Sequence, residues 1–180
     1  MNFSDSVTVE APADVLWEVV KDLPSLPQVV TSVAGFEWVS SSNTSPLQVG
    51  ARFRETRMHD NRPFIMFKTV TALQETGPER SLSLGISVQN PDGSRNDTVN
   101  TSTLIVQPVN EETSRLILTG AFKSGKCMTL VNYYCCYPCI RRLVRTSVEQ
   151  ELDDYRDAAV ELYEKMQSQG TTEKNEDDSD

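Results

Sequence analysis

The stretch Arg52 to His59, RFRETRMH, concentrates the side chains best able to do chemistry. Strand alternation sets Phe53, Glu55, Arg57 and His59 on one face and Arg52, Arg54, Thr56 and Met58 on the other. If Phe53 points into an interior, Glu55 and Arg57 line the same space, where a carboxylate and a guanidinium orient a polar ligand head or exchange protons with it. If it does not, the same residues form a solvated charge ladder on an outer face, or a mutual pair near a cavity mouth. His59 is the only histidine, so imidazole acid–base chemistry or metal binding would depend on it alone, and within the polar run MHDNRP it reads as a solvated loop residue. Neither Gly-X-Ser-X-Gly nor His-Glu-X-X-His nor a phosphate-binding glycine motif occurs. A Ser/His/Asp triad has no second histidine to draw on.

Cys127, Cys135, Cys136 and Cys139 fall within thirteen residues. A structural zinc site takes two separated pairs from different parts of a chain, so neither metal nor cofactor is expected. Beside Tyr133, Tyr134 and Tyr137, and ahead of Arg141 and Arg142, the cysteines suit one of two surroundings. They form an acylated, membrane-touching surface, or they are reduced, buried thiols entering a helix. Arg141, Arg142 and Arg145 oppose the dipole near a helix start and read as a solvated face. Trp17 and Trp38 read as core or rim packing. Leu84, Ile86, Leu104, Val106, Leu118 and Phe122 are core positions that become cavity lining where a helix stands off the sheet.

The elements that would position these groups come from periodicity. Phe3, Asp5, Val7 and Val9 alternate with polar residues as a half-buried strand. Pro12 then opens a helix at its first position, with Asp14 in the first turn and Val15, Leu16, Val19 and Val20 as its stripe. SLPQVV reads as a second short helical piece with Ser25 as its cap. Six strands follow: GFEWVS, GARFRETRM, PFIMFKTVTAL, RSLSLGISVQ, DTVNTSTLIVQP and SRLILTGAFK, punctuated by turn chemistry at Gly77-Pro78, Pro91 to Ser94 and Asn110 to Thr113. Pro138 to Gln167 is a long helix, about 45 Å at ~1.5 Å per residue, with Pro138 tolerated only near its first turn. Its stripe runs through Ile140, Val144, Val148, Leu152, Tyr155, Ala159, Leu162 and Met166. Short connections make the strands antiparallel, and the long helix is the element large enough to cover their apolar side. Leu152, Tyr155, Ala159 and Leu162 then face a gap between helix and sheet, where small ligands bind.

The chain has 180 residues, 38% hydrophobic and 24% charged, with a net charge of −9. That suits one domain at residues 1–168, followed by an acidic tail at 169–180 expected to be disordered. The acidity argues against a nucleic-acid partner. No apolar run approaches the ~20 residues that span a bilayer, and the N-terminus lacks the pattern of a secretory signal. The sequons at Asn2, Asn43, Asn96 and Asn100 are then without meaning, and a cytoplasmic monomer is expected.

Several segments, VTVEAPADVLWEVVKDLPSLPQVV, VGARFRETR, STLIVQPVNEETSRLILTGAF and IRRLVRTSVEQELDDYRDAAVELYE, resemble in sequence and order the START-like (SRPBCC) superfamily. The resemblance is to its polyketide cyclase/dehydrase and lipid transport branch and covers roughly residues 3–167. It implies an α+β helix-grip fold: a curved antiparallel sheet of about seven strands around a long C-terminal helix, with two short helices after the first strand. It also implies a cavity that serves lipids, sterols, quinones, hormones or polyketides in different members, and catalysis in a minority. The expected function is binding or transport of a hydrophobic small molecule. Affinity would come from Phe53, Leu84, Ile86, Leu104, Leu118, Phe122, Leu152, Tyr155 and Ala159, and orientation from Glu55 or Arg57. The alternatives are a cyclase or dehydratase in the same cavity, and a protein-interaction module with transient membrane-surface contact.

Overall fold

The computed structural model describes residues 2–39, 47–59, 62–88, 100–121 and 130–177, with backbone alone at 59, 62, 130–141, 143 and 170–177. Strand β1 (Asn2–Val9) leads into helix α1 (Ala13–Lys21), a 3-10 turn (Leu23–Ser25) and helix α2 (Leu26–Val29). Then come β2 (Val33–Trp38), β3 (Arg52–His59), β4 (Arg62–Gln74), β5 (Arg80–Val88), β6 (Asn100–Pro108), β7 (Ser114–Ala121) and helix α3 (Leu130–Asp177).

The seven strands form one sheet in the order β1-β7-β6-β5-β4-β3-β2, and every neighbouring pair is antiparallel. Sequence-adjacent strands therefore pair from β2 to β7, and β1 closes alongside β7, as short turns require. The fold is the expected helix grip. Breaks in register at Val33/Gly35 and at Val70/Ala72 bend β2 and β4, the device by which a sheet curls toward a helix. Gly50, at φ 90°, makes the turn into β3, and its amide donates to the Val70 carbonyl at 2.8 Å. That backbone angle costs a side-chain-bearing residue free energy and costs glycine little.

Cross-strand partners share a face, so register alone defines the inner surface. Phe53 opposes Lys68, which opposes Ile86. Leu82 opposes Leu104, which opposes Leu118. Against this surface lies one face of α3, with Val148, Leu152, Tyr155 and Ala159 buried. The helix packs on β1, β7, α1 and α2.

Four local features depart from the sequence reading. Helix α3 begins at Leu130, so Pro138 lies inside it and not in its first turn. Met166 is 54% exposed, because the stripe outlasts the sheet: Glu164 already lines the same open groove as Glu10, which lies past the end of β1. Ser25 precedes α2 but makes no side-chain cap bond; its hydroxyl donates to Asp22 at 2.6 Å. Pro12 likewise sits at the N-cap of α1, one position before the helix.

Ala159 is fully buried in the same apolar cluster as Leu16, Val20 and Leu116. Enlarging a side chain in a filled core forces rotamers and backbone aside, so Ala159→Leu is expected to cost ~1–3 kcal/mol. Urea unfolding would measure it, and an unchanged midpoint would mean that free space adjoins this position.

Candidate ligand site

On β3 the alternation falls with Phe53 inward: Phe53 and Glu55 are both 0% exposed, and Arg57 is largely covered beside them. The two sequence readings of this strand merge, since Glu55 and Arg57 face inward and also pair with each other. Arg57 Nε donates to Glu55 Oε2 at 3.0 Å. Arg57 Nη1 donates to Glu151 Oε2 of α3 at 2.8 Å and to Ser32 Oγ at 3.3 Å. On the far side of Glu55, the Lys68 ammonium of β4 lies 2.7 Å from Oε1. Among the described residues, this ion pair is the one contact that Oε1 makes. Lys68, Glu55, Arg57 and Glu151 form a continuous line of alternating charge joining β4, β3 and α3.

Burial disfavours the charged forms of Arg57 and Glu151, and their neighbours decide the outcome. Against that burial, Glu151 and Glu55 hold the Arg57 guanidinium far into its protonated range. Burial would raise the Glu151 carboxyl, but Arg57 and then Lys68 bring it below its ordinary value. Tyr155, one turn along α3, is pushed well above its ordinary value by burial and by the carboxylates of Glu151 and Glu55. Next to the line, Phe36, Trp38 and Phe53 form an aromatic cluster with centroids 5.1 to 5.8 Å apart. The Lys68 ammonium stands 6.0 Å from the Phe53 ring centroid. A second tie fastens α3: Asp154 accepts from the Thr31 amide at 2.9 Å and the Thr31 hydroxyl at 2.8 Å.

Of the other sequence-selected residues, Leu84, Ile86, Leu104 and Leu118 are buried on the inner face, and Leu152, Tyr155 and Ala159 on the helix opposite. Leu162 is partly buried, and Trp17 is core. Phe122 and Cys127 lie outside the described residues, as do the side chains of Cys135, Cys136 and Cys139. The His59 backbone closes β3 opposite Arg62 and is not in a loop. Among the described residues, no group of three or more His, Cys, Asp or Glu could hold a metal, and no helix is long and apolar enough to cross a membrane. A separate open groove of about 490 Å³ between β1 and α3 is lined by Thr8, Glu10, Arg156, Asp157, Val160, Glu161 and Glu164. Its acids outnumber its one cation, so it has a different character from the inner face.

The profile of the polyketide cyclase/dehydrase and lipid transport family matches residues 1–159. The chain belongs to this family. Solved structures share its fold at low identity. The aromatase/cyclase Zhui from Streptomyces sp. R1128 superposes with a TM-score of 0.62 at 14% identity, covering 88% of this chain and 93% of that one. A START superfamily protein from Mycobacterium smegmatis gives 0.65 at 13% identity, covering 89% and 98%. The di-domain ARO/CYC BexL of the BE-7585A biosynthetic pathway gives 0.65 at 18%, covering 88% of this chain, which spans only 46% of that protein. Among curated proteins nothing matches.

Sequence reasoning missed Lys68 and Glu151 in this family member, though each carried a signal. Lys68 shares parity with Met66 and Val70 on the inner side of β4, a cation in an apolar series. Glu151 stands three residues after Val148 and four before Tyr155, within the helix's apolar stripe. Asp154 carried no such mark, because its partner is a backbone amide 123 positions away.

Removing Arg57 would leave two covered carboxylates facing each other. Arg57→Met is therefore expected to cost ~3–5 kcal/mol in urea unfolding, most of it recovered when Glu55→Gln and Glu151→Gln are added. The folded state also keeps the Tyr155 proton above the ordinary phenol value of ~10, so this group's stabilisation is complete below that pH and fades as pH rises beyond it. Wild type should lose stability faster than Tyr155→Phe above about pH 10 in unfolding at stepped pH. Parallel losses would show that the phenol is not held.

Proposed function

We propose that this protein binds or carries a hydrophobic small molecule, lipid, sterol, quinone or polyketide-like, between the inner face of the sheet and α3. One observation carries the reading: a line of four charges buried beside an aromatic cluster, on the face that the family uses to enclose ligands. Apolar burial would supply affinity through residues such as Phe53, Leu84, Ile86, Leu104, Leu118 and Leu152. Glu55, Arg57 and Lys68 would orient the polar end of the molecule.

A cyclase or dehydratase acting in the same space is the second reading, favoured by the convergence of Glu55, Arg57, Lys68, Glu151 and Tyr155. Acid–base catalysis works best with a group whose proton affinity lies near the working pH. Arg57, Glu151 and Tyr155 are all displaced away from neutrality. They are held charged, charged and neutral respectively, which suits fixed recognition better than proton traffic.

Solvent extraction of natively purified protein, followed by mass spectrometry, is expected to release an apolar molecule in near-stoichiometric amount. Arg57→Ala and Glu55→Gln should each weaken its rebinding about tenfold or more, as loss of a buried charged partner does. An empty extract, together with unchanged affinity in both variants, would refute the assignment.

A further inference from the structure

The line Lys68–Glu55–Arg57–Glu151 holds two cations and two anions, and each neighbouring pair is in contact at 2.7 to 3.0 Å. It is therefore neutral before any ligand arrives. Its capacity is unevenly spent. Arg57 uses Nε on Glu55, and Nη1 on Glu151 and Ser32. Glu55 Oε1, on a carboxylate with no exposure, has the Lys68 ammonium as its one partner among the described residues, which leaves its second lone pair unused. Lys68 is 5% exposed, and among the described residues its ammonium meets only that oxygen and the Phe53 ring. One acceptor and at least one donor are thus left at adjacent atoms, at the end of the line that borders the aromatic cluster.

Resting on the ligand-binding reading above, we propose that this end of the line selects a neutral, hydroxyl-bearing hydrophobic molecule and discriminates against fatty carboxylates and alkylamines. The hydroxyl hydrogen goes to Glu55 Oε1, and the hydroxyl oxygen accepts from Lys68 Nζ. Both leftover valences are then filled by one atom group, and the site stays neutral. A carboxylate head would satisfy Lys68 but bring a charge with no buried counter-ion, and it would confront Glu55 at close range. An ammonium head would do the reverse beside Lys68. A methyl terminus would leave the remaining valences of Oε1 and Nζ unfilled under an apolar cover, whereas a hydroxyl fills one at each atom. The chain length and ring system of the molecule are a separate matter, decided by the apolar walls.

Displacement of N-phenylnaphthylamine fluorescence by dodecanol, dodecanoate and dodecylamine at neutral pH tests this with heads of different charge on one tail. Dodecanol is expected to displace the dye from the wild-type protein at about tenfold lower concentration than either charged compound. In Glu55→Gln the line carries one excess positive charge, so the ratio of dodecanol to dodecanoate should fall at least tenfold toward the acid. In Lys68→Met the excess is negative, and dodecylamine should gain in the same way. Equal or tighter binding of dodecanoate to wild type overturns the inference, as does an unchanged ratio in a folded variant. The wild-type ranking decides even where a variant fails to fold. A dye that binds but yields to none of the three also overturns it while leaving an apolar cavity standing. Failure of the dye to bind at all overturns the ligand-binding reading beneath it.

Discussion

A carboxylate without solvent contact cannot stand alone, and the inner architecture of this protein follows from how Glu55 is compensated. Hydration lost on burial has to be replaced by charge and by hydrogen bonds. Arg57, two residues along the same strand, supplies one partner because alternation returns the chain to the same face. Lys68 supplies the other from the neighbouring strand. Arg57 is itself too covered to be left with a single partner, and its second carboxylate comes from Glu151 on the helix. Compensation of one residue thus ties β3 to β4 and, through Arg57, to α3.

This arrangement separates two tasks that a ligand-enclosing fold must reconcile. Packing of α3 against β1, β7 and α1 is apolar, and it holds the half of the helix around Ala159. One or two turns earlier, Glu151 and Asp154 hold the helix by directed contacts to Arg57 and Thr31. Directed contacts fix distance as well as affinity, so they can set helix and sheet at a defined separation where close apolar packing would draw them together. The proposed ligand occupies the side of the line nearest Phe53, where aromatic rings and unspent polar atoms meet.

Much of the fold was legible in the sequence. Leu82, Leu84 and Ile86 announce β5 by alternation, and Val148, Leu152, Tyr155 and Ala159 announce the buried face of α3 by helical spacing. The inward face of β3 was legible too, once Phe53 is taken as its marker. Charges were harder to read. Glu55 and Arg57 stand out because they are adjacent on one strand, whereas their partnership with Lys68 and Glu151 depends on which strand and which helix turn come alongside. Periodicity places each residue on a face; only the assembled sheet says which faces meet. Ser25 illustrates the local limit, since a serine before a helix can accept from the helix's free amides or donate to a nearby carboxylate, and here it donates to Asp22.

Photoaffinity labelling with a diazirine-bearing dodecanol, mapped by peptide mass spectrometry, asks most directly where a hydrophobic molecule sits. Label is expected on inner-face residues such as Phe53, Met66, Leu84, Leu104 and Leu152, competed away by unlabelled dodecanol. Label on Thr69, Thr103 or Thr119 of the opposite face, or label that unlabelled dodecanol does not compete away, would contradict a ligand held between sheet and helix.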